Sequence, residues 1–253
     1  MQAKASLEDT LALMRDLRAR CSWDAAQTHQ SLRPYLIEEA HEVDDALRAG
    51  NDGALRDELG DLLLQVLFHS VIAEERGAFD LRDVAGALIA KMKKRHPHLY
   101  EGGEAIPWER QKATMRDSLA DGLPIDLPGL HRAHRLQDRA AGVGFDWDDV
   151  AGPLAKVREE IDEVTVELET PHADPATAKD RLEGELGDLL FAVVNLCRKA
   201  EVHAAVALDR ANIKFVRRFT AVERLAAERG VHVGSATLAE LDLLWDDVKR
   251  AGG

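Results

Sequence analysis

Apolar residues recur at three- and four-residue intervals along nearly the whole chain, the period of amphipathic α-helices. Leu7, Leu11, Met14 and Leu17 mark the first helix, which Ser6 and Asp9 open with capping-box spacing. After a break at Cys21-Ser22-Trp23-Asp24, the stripe Leu32, Leu36, Val43 and Leu47 predicts a second helix, ended by Gly50-Asn51-Asp52-Gly53. Leu55, Leu59, Leu62, Val66 and Leu67 predict a third, and Leu81, Val84, Leu88, Ile89 and Met92 a fourth that stops before Pro97. A helix over 130–141 follows, closed by Gly142 and Gly144. Leu154, Val157, Ile161, Val164 and Leu168 mark the next, and further helices are predicted over 182–194, 208–225 and 238–248. No stretch alternates with period two and β-branched enrichment, and aromatics make up only 5% of residues. The expectation is an all-α fold without a sheet.

At 253 residues and 45% hydrophobic, the chain can bury a substantial core in one or two domains. The segment Leu123 to Gly129, LPIDLPG, is a poor helix, so the predicted division is a domain over 1–121, a linker over 122–129 and a domain over 130–253. The stretch 101–107 also reads as loop. No apolar run is long enough for a membrane span, the opening MQAKASLEDT has no signal-peptide pattern, and Cys21 and Cys197 form no CxxC pair. These features predict a soluble, cytoplasmic protein with reduced thiols.

Charge singles out two places. Segments 38–61 and 156–188 each carry a net charge of -7, together more than the -13 of the whole chain. Each holds two carboxylate pairs at i, i+3: Glu39 with Glu42 and Glu58 with Asp61, then Glu160 with Glu163 and Glu185 with Asp188. Residues three apart share a helix face, about 5 to 6 Å from one another. Glu160 lies three after Val157 and four before Val164, and Glu185 three after Leu182 and four before Leu189, so both pairs border a buried stripe. Antiparallel helices joined by the loop 170–177 would aim four acids at one spot. Acidic residues on a helix usually mark a solvated face, but the arrangement occurs twice, as EExxE followed by ExxGD and an apolar run. Converging carboxylates raise one another's pKa unless a cation lies between them. Mg²⁺ is the expected cation, with Mn²⁺ as a substitute, because it takes few protein carboxylates and leaves room for phosphate oxygens.

The repeat extends further. Lys91-Met92-Lys93-Lys94-Arg95 corresponds to Lys214-Phe215-Val216-Arg217-Arg218, and Trp108-x-x-x-Lys112 to Trp245-x-x-x-Lys249. In both halves a Trp beside an Asp precedes the EExxE helix, which an old tandem duplication explains. Acids that hold a cation, cations that meet phosphate and a Trp that offers a flat face suit hydrolysis of a nucleoside polyphosphate. An acidic chain of pI near 5.2 speaks against a nucleic-acid groove. No GxxxxGK[ST] loop is present, and His96 and His98, which flank Pro97, lack the spacing of metal ligands. One rival reading is a helical interaction module whose acidic faces dock a basic partner. A di-iron carboxylate bundle is another, but it requires ExxH pairs, and the positions three after the glutamates hold Glu42, Asp61, Glu163 and Asp188.

The ordered set of paired acids, Gly184 to Leu196 (GELGDLLFAVVNL), Lys94 to Tyr100 (KRHPHLY) and Val143-Gly144-Phe145-Asp146-Trp147 resembles the two-domain MazG-type nucleoside triphosphate pyrophosphohydrolases, from about Leu11 to Lys249. The resemblance implies an all-α fold related to dimeric dUTPases, a homodimer, and hydrolysis of standard and aberrant nucleoside triphosphates to monophosphate and pyrophosphate by water attack at the α-phosphorus. It implies Glu160, Glu163, Glu185 and Asp188 as Mg²⁺ ligands, with Glu39, Glu42, Glu58 and Asp61 as their counterparts. It further implies nucleotide contacts from Lys156, Glu159, Arg181, Lys214, Arg217, Arg218 and Trp245, with Glu159 as candidate base. The halves differ: Lys156 precedes Glu160 by four where Tyr35 precedes Glu39, and Arg181 precedes Glu185 where Ala54 precedes Glu58. Charge-assisted contacts contribute about 1.5 to 3 kcal/mol each, so the second half is expected to carry most of the activity.

Overall fold

A computed structural model describes residues 4–100, 102, 118–171 and 174–252. Trp108, Lys112 and most of the 101–107 stretch lie outside the described residues. The described residues are helical with no strand, in two compact units, Met1–Ala105 and Ile106–Gly253.

The first unit contains α1 (Leu7–Arg20), α2 (Ser22–Ala26), α3 (Arg33–Ala49), α4 (Asp52–Glu75), α5 (Leu81–Arg95) and α6 (Pro97–Tyr100). Helix α1 begins with the expected capping box: the Asp9 amide donates to Ser6 Oγ at 3.1 Å and the Ser6 amide to Asp9 Oδ2 at 2.9 Å. The break at 21–24 contains the one-turn helix α2. Its cause is tertiary: Arg18 Nη1 donates to the carbonyls of Asp24, Ala25 and Gln27 at 2.5, 3.2 and 3.0 Å, while the same guanidinium pairs with Glu75. Gly50, at φ +64°, ends α3, and Asn51 caps α4 by accepting from the amides of Gly53 and Ala54. Met14, Leu32, Leu67, Phe68, Val71 and Ile72 form the core under this hairpin.

The second unit contains α7 (Gly129–Gly142), α8 (Ala151–Glu169), α9 (Pro175–Lys199), α10 (Ala204–Glu228) and α11 (Leu238–Arg250). Asp174 accepts from the amides of Ala176 and Thr177 and Pro175 takes the first helical position, so α9 starts inside the predicted 170–177 loop. Helices α8 and α9 pack along their length, and α10 with α11 closes a second core around Val222, Ala226, Leu244 and Val248. The division between units falls ahead of the 122–129 segment expected as the linker. Within the second unit, buried Arg139 of α7 donates through Nη1 to the carbonyls of Leu119 and Asp121 at 2.6 and 3.0 Å, which fastens the turns before α7 to that helix.

Candidate active site

In each unit the two acid-bearing helices form a hairpin, and the structure gathers three of the four paired carboxylates. Oxygens of Glu160, Glu185 and Asp188 lie within 4.8 Å of one another, as do those of Glu39, Glu42 and Glu58. Glu163 and Asp61 stand outside these clusters. An i, i+3 pair shares a face, but the neighbouring helix meets only part of that face. Glu163 and Asp61 still act electrostatically. Burial and then the charge of Glu160 push the Glu163 carboxyl up. Burial, then Asp61 and Glu42, raise Glu39, and burial, then Glu42 and Asp61, raise Glu58.

The two clusters differ in setting. Glu160 is 4% exposed, and Lys156, one turn earlier on α8, reaches both its Oε1 at 2.7 Å and Glu159 Oε1 at 2.8 Å. Those two acids push the Lys156 ammonium pKa up. Glu160 Oε2 is buried with no hydrogen-bond partner. A buried carboxylate clustered with two further carboxylates fits a hard divalent cation, which needs oxygen donors and tolerates the repulsion. In the first unit Glu39 is less buried and accepts from Gln65 Nε2 at 3.4 Å, and Tyr35, in the place of Lys156, lies edge-on to Trp23 at 6.2 Å between ring centroids.

The nucleotide contacts expected from sequence fall in separate places. Lys156, Glu160 and Asp188 line one open cleft of about 580 Å³. Arg181 reaches Glu167 at 3.5 Å. Lys214 lines one shallow groove on α10 with Arg217, and a second with Arg218 and Trp245. These grooves share no lining residue with the carboxylate cleft. Trp245 packs on the α10/α11 core and lies 5.5 Å from the Phe215 ring.

The same cleft holds residues that sequence reasoning passed over: Gln137, Phe145, Phe191, Asn195 and Arg198, together with Trp147 of the noted Trp-Asp break. The loop that carries Phe145 and Trp147 is held by Asp146, whose Oδ1 accepts from Arg198 Nη2 at 2.5 Å and Oδ2 from Lys199 Nζ at 3.2 Å. Burial pushes the Asp146 carboxyl up, and the bonds from Arg198 and Lys199 outweigh it and hold the group below the usual carboxylate range. The Trp147 indole lies on the first turn of α8, where a Cβ at Gly152 would fall 1.9 Å from its Cδ1. The available signal was two amides, Gln137 and Asn195, inside otherwise apolar stripes.

Comparison with known proteins agrees with this geometry. The model of the MazG nucleotide pyrophosphohydrolase domain matches residues 27–100 and again 152–223, covering both acid hairpins. The chain is 42% identical over 249 residues to a nucleoside triphosphate pyrophosphohydrolase of Escherichia coli strain K12, covering 94% of this chain and 93% of that one. It is 39% identical over 257 residues to the nucleoside triphosphate pyrophosphohydrolase/pyrophosphatase MazG of Thermotoga maritima, covering 98% and 97%. It is 40% identical to the uncharacterized protein YabN of Bacillus subtilis strain 168, covering 94% of this chain and 50% of that one. With the domain present twice and such relatives matched nearly end to end, this chain belongs to the MazG nucleotide pyrophosphohydrolase family.

Proposed function

We propose that the second unit hydrolyses nucleoside triphosphates to the monophosphate and pyrophosphate, using a divalent cation, Mg²⁺ first, held by Glu160, Glu185 and Asp188. The observation that carries this reading is buried Glu160, whose Oε2 has no hydrogen-bond partner, clustered with two more carboxylates and lining a cleft with Lys156. Such a cation, when bound, screens phosphate charge and lowers the pKa of a water. The chain's own residues do the rest. Lys156 receives a phosphate oxygen and thereby releases Glu159, which then accepts the proton of the attacking water. The water oxygen bonds to the α-phosphorus, the bond from that phosphorus to the α,β-bridging oxygen breaks, and pyrophosphate leaves with that oxygen. Sanitising the nucleotide pool is the role this chemistry suits. An acidic docking face would want its charges in solvent, and Glu160 is buried.

The test is to incubate the protein with the eight common nucleoside triphosphates, with and without Mg²⁺, and identify the released anion. Pyrophosphate only with Mg²⁺ is expected; orthophosphate, or no product from any substrate, sinks the proposal.

We further propose a homodimer. Leu190 on α9 and Ile213, Phe215 and Val216 on α10 are half-exposed or more in the isolated chain. Fully burying a side chain of this kind contributes about 1.5 to 3 kcal/mol, so a second copy is the natural cover, and it would bring another α10 with its Lys214 and Arg217 toward a carboxylate cleft. Sedimentation should give twice the 27.9 kDa chain mass, and Leu190→Asp should shift the protein toward that single-chain mass; a wild-type monomer at micromolar concentration rejects the dimer.

A further inference from the structure

The acid hairpins of the two units start from one motif and end in different clusters. In the first, α3 supplies two of the three carboxylates, Glu39 and Glu42, and α4 supplies Glu58. In the second, α8 supplies Glu160 alone and α9 supplies Glu185 and Asp188. Each helix carries both of its acids on one face, so the difference points to how the two helices meet. What fastens them differs too. In the second unit the connection over 143–150, between α7 and α8, is tied to the last turn of α9: Asp146 accepts from Arg198 Nη2 at 2.5 Å and from Lys199 Nζ at 3.2 Å. All three side chains are largely withdrawn from water, where charge pairs are screened less. The next residue, Trp147, lies against Gly152 in the first turn of α8. From Gly152, Lys156 and Glu160 follow at four-residue steps on one face of the helix. At about 1.5 Å per residue, Glu160 stands ~12 Å along α8 from Gly152, and Asp188 ~15 Å along α9 from Arg198. The tie therefore sits at one end of the hairpin, a few turns from the cluster, with rigid helix between.

The first unit has no residues to make this tie. Ser22 precedes Trp23 where Asp146 precedes Trp147. Arg198 and Lys199 stand thirteen and fourteen residues after Glu185, and the same steps from Glu58 reach Val71 and Ile72, both in the apolar core. There the loop is held from α1 instead, through Arg18. We propose that Asp146 is a positioning residue for the second unit's carboxylate cluster: by tying the 143–150 loop to Arg198 and Lys199, it sets α8 against α9 so that Glu160 meets Glu185 and Asp188. The proposal rests on the cation reading above and deepens it, because it assigns to that site a residue outside the cluster.

The experiment measures Mn²⁺ binding to the full chain by calorimetry, without nucleotide, in a Glu58→Ala background that leaves the first unit's cluster one acid short. Asp146→Asn sets an amide N–H against one of the two cationic donors, and it is expected to weaken Mn²⁺ binding about tenfold. In turnover of ATP the same variant should need about tenfold more Mg²⁺ for half-maximal rate, while kcat at saturating Mg²⁺ stays within about threefold. Lys199→Met removes one leg of the tie. It is expected to weaken Mn²⁺ about threefold alone and to add nothing to Asp146→Asn, as two members of one network do. Val248→Ala, in the α10/α11 core, loosens the fold elsewhere and should leave Mn²⁺ affinity within about twofold. The proposal is overturned if Asp146→Asn binds Mn²⁺ as its background does, or if Val248→Ala weakens binding as much. Should Asp146→Asn not fold, Lys199→Met decides: a loss of Mn²⁺ affinity sustains the proposal and unchanged affinity overturns it. A background protein that binds no Mn²⁺ brings down the cation reading itself and this proposal with it, whereas equal binding by background and variants brings down this proposal alone.

Discussion

Glu185→Ala is expected to lower nucleoside triphosphate turnover by roughly a hundredfold to a thousandfold, while Glu58→Ala stays within about threefold of wild type. The magnitude follows from removing one pre-placed charge from a site that stabilises developing charge on phosphate. The asymmetry follows from the surroundings. Both glutamates belong to three-carboxylate clusters, but the second cluster has a lysine that bridges Glu159 and Glu160 and a cleft lined by Glu160 and Asp188. In the first unit Tyr35 replaces that lysine and packs against Trp23. Pyrophosphate release by the two variants, measured at saturating ATP and Mg²⁺, decides the matter. Turnover lost with Glu58→Ala and retained with Glu185→Ala would place the chemistry in the first unit instead.

Removing divalent ions with a chelator is expected to abolish turnover by about a thousandfold or more, several kcal/mol of charge stabilisation at about 1.4 kcal/mol per tenfold. It should also leave a stability signature. The Glu163 carboxyl is pushed up by burial and by Glu160. An acid whose folded pKa lies above its unfolded value of about 4.3 favours folding while both states are protonated, and that contribution is lost as pH rises through the folded pKa. In chelator, Glu163→Gln should therefore melt higher than wild type at pH 7.5, and the difference should vanish near pH 4. With Mg²⁺ in excess, the gain at pH 7.5 should shrink, because a bound cation relieves the same repulsion. Melting curves at the two pH values, with and without Mg²⁺, check this; a Glu163→Gln gain that persists at pH 4 would assign it to packing rather than charge.

Much of the fold was legible because helices write their period into the chain. Leu32, Leu36, Val43 and Leu47 fall within α3 or its cap, and the 238–248 stripe became α11. The short helix α2 was not legible, since it depends on Arg18 reaching across to three carbonyls. The carboxylate spacing picked out four acids in each unit, of which the structure brings three together, because spacing fixes a face and not the angle at which a second helix crosses it. Gln137 and Asn195 were missed for a related reason. A lone amide in an apolar stripe is ordinary in sequence, and only packing reveals that Gln137 Oε1 is buried with no partner.

The contact between Trp147 and Gly152 has a consequence for any attempt to re-engineer this enzyme. While the indole keeps its seat, position 152 accepts nothing larger than hydrogen, since even a methyl group would overlap the ring. A library that varies one of these two sites with the other held constant will sample mostly collisions. Reshaping the mouth of the cleft therefore requires changing both together, the ring made smaller as the glycine is made larger.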